Sequence, residues 1–183
     1  MAGACGSRRL IQTSGLMKEI VIPKEQAVFW LDRHGFWRNR HGRFERPRII
    51  AKFHGAIGRD GDGYYLSQVN GEVREKIYFP YEDTALFVFD VDIGKKAVTL
   101  RLNTGREMPL APDSLYIRSD ALYTESEGER IRFAEKALLK ISPLLEVEGS
   151  ACAIRVGGKR VVIPEKTSTK GLDNNNGNIE KST

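Results

Sequence analysis

The sequence predicts an α+β fold of two small β-rich lobes, each roughly β-hairpin–helix–β-hairpin, related as an internal duplication and joined by a central β-hairpin. Three observations carry this reading. A stretch of the chain occurs twice with a shift of 86 residues: Phe29-Trp30-Leu31 recurs as Leu115-Tyr116-Ile117, with turns ending in Gly42 and Gly128. In this alignment Trp30 matches Tyr116 and Trp37 matches Tyr123. A helical stripe, Ile49, Ile50, Phe53 and Ala56, recurs with an offset of 88 as Ala137, Leu138, Ile141 and Leu144. Between the copies, Ala85–Ile93 and Ala97–Asn103 flank the turn Gly94-Lys95-Lys96. Phe87, Phe89, Val91 and Ile93 there alternate with Val88, Asp90 and Asp92, the pattern of a strand with one wet face.

In chain order, short strands are expected near 28–31, 36–38 and 43–44, separated by glycine-bearing turns. Pro47 fits the first turn of a helix. Its apolar stripe extends to Ile57, and Gly58 with Asp60-Gly61-Asp62-Gly63 ends it. Strands at Tyr64–Val69 and Val73–Phe79 surround Asn70-Gly71, a strong hairpin signal. The second copy repeats this order: strands near 115–118, 121–125 and 130–133, a helix near Ala134–Leu145 bent or shortened by Pro143, then strands near 151–156 and 160–163 around Gly157-Gly158.

The expected domain organisation is a disordered leader over 1–16, a first α+β lobe over 17–80, the central hairpin and second α+β lobe over 81–165, and a disordered tail over 166–183. Lobes of this size are marginal alone and are expected to share a buried face. The leader is too poor in apolar residues for a secretory signal, and Met17 reads as a natural start. The tail holds only Leu172 and Ile179 as larger aliphatics, too little to offset the entropy of ordering it.

The formal charge of +5 is uneven. Residues 1–80 carry 14 Lys and Arg against 8 Asp and Glu, whereas residues 81–183 carry 15 against 16. The excess is concentrated in Arg33–Arg48. No apolar run approaches a membrane span. Two cysteines, Cys5 and Cys152, do not make a disulfide framework, so a reducing, cytoplasmic setting is expected.

A set of motifs follows the same order as the strands and helix: Asp32-x-x-Gly35-x-Trp37, then Gly42, then Arg46-Pro47 opening a helix with Phe53. Asp62-Gly63-x-Tyr65-Leu66 and the acidic pair Glu82-Asp83 leading to Phe87 come next. Over most of 28–165 the chain resembles the bacterial family catalogued as domain of unknown function 1285. It departs at Asn70–Lys76, a hydrophilic hairpin in place of a shorter, more apolar segment. The resemblance implies a two-domain α+β fold with a cleft between lobes, a nucleotide-like ligand and a signalling role.

The residues themselves point to anion binding. Arg33, Arg38, Arg40, Arg43, Arg46 and Arg48 interleave with Phe36, Trp37 and Phe44, so guanidinium groups could hold phosphate beside aromatic faces. The bland alternative places these aromatics in the core and the arginines in water. Strand alternation already forbids Phe36 and Trp37 from facing one side. Asp60-Gly-Asp62-Gly lacks the further ligands of a calcium loop and reads as turn chemistry. His34, His41 and His54 lack zinc spacing and read as surface residues. Cys152 reads as a buried inert thiol.

The expected function is a non-enzymatic ligand-binding or signalling module holding a small anionic, nucleotide-like ligand in an interdomain cleft. Arg33, Arg46 and Arg48 would contact the anion, Trp37 or Tyr64 would stack, and Glu82 and Asp83 would line the cleft. No cofactor or metal is expected, and a protein partner would receive the signal. One alternative is RNA or single-stranded nucleic-acid binding through the Arg-rich lobe. Another is a hydrolase or transferase using Glu82, Asp83 and Asp90.

Overall fold

Short runs of alternating polar and apolar residues become short strands, and glycine turns set their lengths. The computed structural model describes residues 18–95 and 97–167. The expected leader, the turn residue Lys96 and most of the expected tail lie outside the described residues. The first half runs β1 (Lys18–Ile22), β2 (Phe29–Leu31), β3 (Trp37–Asn39), β4 (Gly42–Arg43), α1 (Pro47–Gly55), β5 (Ile57–Asp60), β6 (Gly63–Asn70) and β7 (Val73–Tyr78). The central hairpin is β8 (Leu86–Ile93) and β9 (Val98–Leu102). The second half runs β10 (Glu107–Pro109), β11 (Leu115–Arg118), β12 (Ala121–Ser126), β13 (Glu129–Phe133), α2 (Glu135–Ile141), β14 (Leu145–Glu148), β15 (Ala151–Val156) and β16 (Lys159–Ile163). The fold is α+β and β-rich, as the sequence predicts.

The two halves repeat one order of elements. A strand and a 3-10 turn, Lys24–Gln26 or Pro112–Ser114, lead into a three-stranded meander, a helix and a second meander. The meanders are β2-β3-β4 and β5-β6-β7 in one copy, and β11-β12-β13 and β14-β15-β16 in the other. Each copy closes on itself by the same tie. Leu31 N–H donates to Pro80 C=O at 3.0 Å and Leu31 C=O accepts from Glu82 N–H at 3.0 Å. In the second copy Ile117 N–H donates to Pro164 C=O at 2.9 Å and Ile117 C=O accepts from Lys166 N–H at 2.8 Å. Lys166, expected to open the tail, is thus held in place, and its ammonium also meets Glu125 at 2.9 Å.

The register of the first hairpin corrects one match. Leu31 pairs with Trp37 across five intervening residues, whereas Ile117 pairs with Leu122 across four. The structural counterpart of Trp37 is therefore Leu122, not Tyr123. A one-residue slip turns a strand over. Leu122 accordingly enters the second core, while Tyr123 stacks on Tyr116, ring centroids 5.3 Å apart, on the opposite side.

Helix α1 is shorter than its apolar stripe suggests. Pro47 opens it and Gly55 ends it. Ile57, Gly58 and Arg59 instead pair with Leu66, Tyr65 and Tyr64, because a neighbouring strand satisfies their backbone groups. Gly58 is required there, since a Cβ would lie 2.7 Å from the Tyr65 ring. Helix α2 ends at Ile141, and Pro143 falls in the 3-10 turn that follows. Pro143 does shorten the helix, and Leu145 begins a strand rather than ending a helix.

Strand β8 divides the two cores. Phe87 packs into an aromatic cluster with Phe29, Trp37 and Phe79, while Leu86, Val88 and Val91 pack into the aliphatic core of the second copy. A bulge between Val88 and Asp90 resets the alternation. Val88, expected on the wet face, is fully buried because the second core covers that side, and the bulge brings Val91 to the same side, while Ile93 is exposed. β8 also runs parallel to β13, which merges the central hairpin with the second copy into a six-stranded sheet, β10-β9-β8-β13-β12-β11.

Candidate ligand-binding cleft between the copies

The Asp32-x-x-Gly35-x-Trp37 motif builds a hairpin tip. The Asp32 carboxylate is buried and accepts the N–H groups of His34 and Phe36, each at 2.9 Å, and Arg38 Nε at 2.6 Å. Burial raises its pKa, but Arg38 and these two N–H groups outweigh that and hold the carboxyl below its usual range. Gly35 sits at φ +82°, and a Cβ there would meet the Phe87 ring at 3.1 Å. The tip is thus pressed onto β8, with Trp37 directed inward and Phe36 left at the surface of a cleft.

The equivalent hairpin of the second copy forms the facing wall. Its turn, Ser119-Asp120, has both residues at positive φ, 47° and 57°. Asp120 and Leu122 from this hairpin, His34 and Phe36 from the first, and Phe89 on β8 enclose a cleft of about 680 Å³. The start of α2 completes it with Glu135, Lys136 and Leu138. Three basic side chains reach the cleft. Arg132 is engaged by Asp83 at 2.9 Å and Arg101 by Glu107 at 2.9 Å. Lys136 makes no ion pair among the described residues. Asp90, also at the cleft, is neutralised by Lys140 at 2.6 Å, which holds its carboxyl below the usual range.

The seven residues singled out from sequence do not converge. Trp37 is 1% exposed, packed edge-on against Phe29, Phe53 and Phe79, so it offers no stacking face. Tyr64 donates its hydroxyl to Glu129 at 3.2 Å, tying β6 to β13. Burial, and then Glu129, push that hydroxyl well above its ordinary range. Arg46 precedes α1 and Arg48 lies in its first turn, both exposed and away from this cleft. Arg33 and Glu82 do meet, with Arg33 N–H 3.1 Å and Nε 3.4 Å from the Glu82 carboxylate. Asp83 turns the other way, accepting Tyr123 O–H at 2.7 Å and Arg132 Nη1 at 2.9 Å, while Arg130 donates to its carbonyl at 2.7 Å.

The acidic pair is therefore a clasp. Glu82 holds the tip of the first copy and Asp83 holds β12 and β13 of the second. Sequence reasoning missed Phe89, Lys136 and Leu138 as cleft residues. Their strand and helix patterns read as scaffold, and no linear signal says which two tips face each other. His54 is a further correction: expected at the surface, it is 3% exposed, because it lies on the buried side of α1 beside Phe53.

No family model matches the sequence, and no curated protein does. Solved structures are similar to it. A DUF1285 family protein from Silicibacter pomeroyi DSS-3 is 18% identical, with a TM-score of 0.52 over 81% of this chain and 84% of that chain. A second DUF1285 family protein, from Shewanella baltica OS155, is 17% identical, with a TM-score of 0.42 over 61% of this chain and 87% of that chain. In its fold, then, this chain resembles the DUF1285 family protein of Silicibacter pomeroyi, the family to which its Asp32-x-x-Gly35-x-Trp37 and Glu82-Asp83 motifs already pointed.

Proposed function

We propose that this protein is a non-enzymatic binding module that holds a small anionic, nucleotide-like ligand in the cleft between its two copies. One observation carries the reading: the same hairpin from each copy walls one cleft, with Phe89 of the central strand between them. Clefts between repeated units are common ligand sites. In this reading a planar base lies against Phe36 and Phe89, and Lys136 and Arg101 meet the anionic group. The Arg101–Glu107 pair is exposed on both sides, so it holds Arg101 weakly and leaves it free to turn to a ligand. Occupancy would draw the two tips together, and the Glu82–Asp83 clasp would carry that change to a protein partner.

The carboxylates support binding over acid–base chemistry. Glu82, Asp83 and Asp90 are each engaged by a basic side chain rather than paired with one another across the cleft. The test is a thermal-shift screen with mono-, di- and cyclic nucleotides at millimolar concentration. At least one nucleotide raises the Tm, and Lys136→Ala and Phe89→Leu reduce that rise. Absence of stabilisation by any of them overturns the reading. Binding of single-stranded RNA instead, weakening steeply with salt, would favour the exposed arginines Arg40, Arg46 and Arg48 as a nucleic-acid face.

A further inference from the structure

We propose a second ligand site, sharing Phe89 with the first cleft, for a small carboxylate with an apolar body, in the cleft between α1 and the turn that joins β9 to β10. This cleft encloses about 830 Å³. Phe44, Pro47, Ile50 and Phe89 give it apolar walls, Arg43 and Glu45 stand at its edge, and His54 and Asn103 lie along its inner side.

Two independent observations select the ligand. The first is Arg43. It pairs with no carboxylate of the described residues, and its guanidinium rests on the Phe36 ring, 3.4 Å from the centroid. A planar guanidinium forms paired hydrogen bonds to a carboxylate. Glu45 beside it disfavours a doubly charged phosphate, which leaves a single-charged anion as the better match. The second is His54. Asn103 is fixed by the backbone, its Oδ1 accepting Phe87 N–H at 3.1 Å and its Nδ2 donating to Ala85 C=O at 3.0 Å. The same Nδ2 lies 3.1 Å from His54 Nδ1, so Nδ1 must accept and the proton must sit on Nε2. That buried N–H has no acceptor among the described residues. A buried donor without an acceptor is costly, and an oxygen carried by the ligand would satisfy it. Nε2 is closed to solvent, and the Phe89 ring packs edge-on against His54, with centroids 4.9 Å apart. Because Nε2 is enclosed, a ligand oxygen reaches it only with a shift of the side chains around His54, Phe89 among them.

The experiment is a titration of ¹⁵N-labelled protein with phenylacetate, and with neutral phenylacetamide as the control, followed by amide and histidine side-chain resonances. Phenylacetate is expected to shift the amides of Ile50–Gly55 and Thr104–Gly105 saturably and to move the His54 Nε2 resonance. Arg43→Ala is expected to weaken binding about tenfold. Arg43 is exposed, so this variant keeps the fold. Lys136→Ala, in the other cleft, is expected to leave phenylacetate binding unchanged, so failure here is separable from failure of nucleotide binding there. The proposal is overturned by no saturable shift, by equal binding of phenylacetamide, by an unmoved His54, or by undiminished binding to the Arg43→Ala protein.

Discussion

Trp37 and His54 show what burial does to residues that look functional on paper. Trp37 sits among Phe29, Phe53 and Phe79, so Trp37→Ala is expected to cost about 3–5 kcal/mol of stability in urea unfolding. A loss below about 1 kcal/mol would contradict its place in the core. His54 is neutral in the fold because burial pushes its pKa from 6.5 down to about 4. The unfolded chain therefore takes up the proton first. The contribution is fully present above pH 6.5 and is lost as pH falls from 6.5 toward 4, about 3 kcal/mol in all. The unfolding free energy of the wild-type protein should decline across that window, and a His54→Gln protein that still folds should decline less. Asp32 adds to acid sensitivity at lower pH, since its depressed pKa means stability present above its ordinary value of 3.8 and lost below it.

At the scale of elements, turns and pairing decide outcomes that periodicity leaves open. The β12–β13 turn places Glu127 at φ 53° ahead of Gly128 at φ 73°. A left-handed glutamate is strained and Asn-Gly suits this turn, so Glu127→Asn should stabilise by about 1 kcal/mol. In β5, Gly58→Ala should destabilise by about 1–3 kcal/mol. Tyr65 cannot easily yield, because Lys76 lies over its ring at 4.4 Å and Tyr78 packs edge-on at 5.8 Å. Thermal melts of the two variants should move in opposite directions. β5 and β14 occupy the same place in their copies, and neither is legible in sequence. Each is a short strand directly after a helical stripe, and its strand character comes from the partner that waits for it.

At the scale of the whole molecule, the two copies are joined by polar ties around shared apolar faces. Asp83 meets Arg132, and both are largely buried, whereas Arg33 and Glu82 meet nearer the solvent. Removing one charge from a buried pair strands the other. Asp83→Asn should therefore cost about 2 kcal/mol, and Glu82→Gln under about 1 kcal/mol. Equal costs would contradict the reading of a clasp anchored on the second copy. Glu129 of β13 adds a further tie, meeting Tyr64 from the first copy and Arg106 from the turn between β9 and β10 at 3.2 Å each. Among the described residues, no helix is long and apolar enough to cross a membrane.

By itself the sequence determined the α+β class, the repeated order of elements and most turn positions, because these rest on local periodicity and on glycine. It also carried the motifs whose resemblance the fold comparison matched. Only the tertiary structure decided which hairpin tips face one another, that Trp37 corresponds to Leu122, and that the arginines of Arg33–Arg48 part company. Strand alternation says that Phe36 and Trp37 point to opposite sides. It does not say which side is core, because that depends on β8 and Phe87, some fifty residues along the chain, packing beneath Gly35.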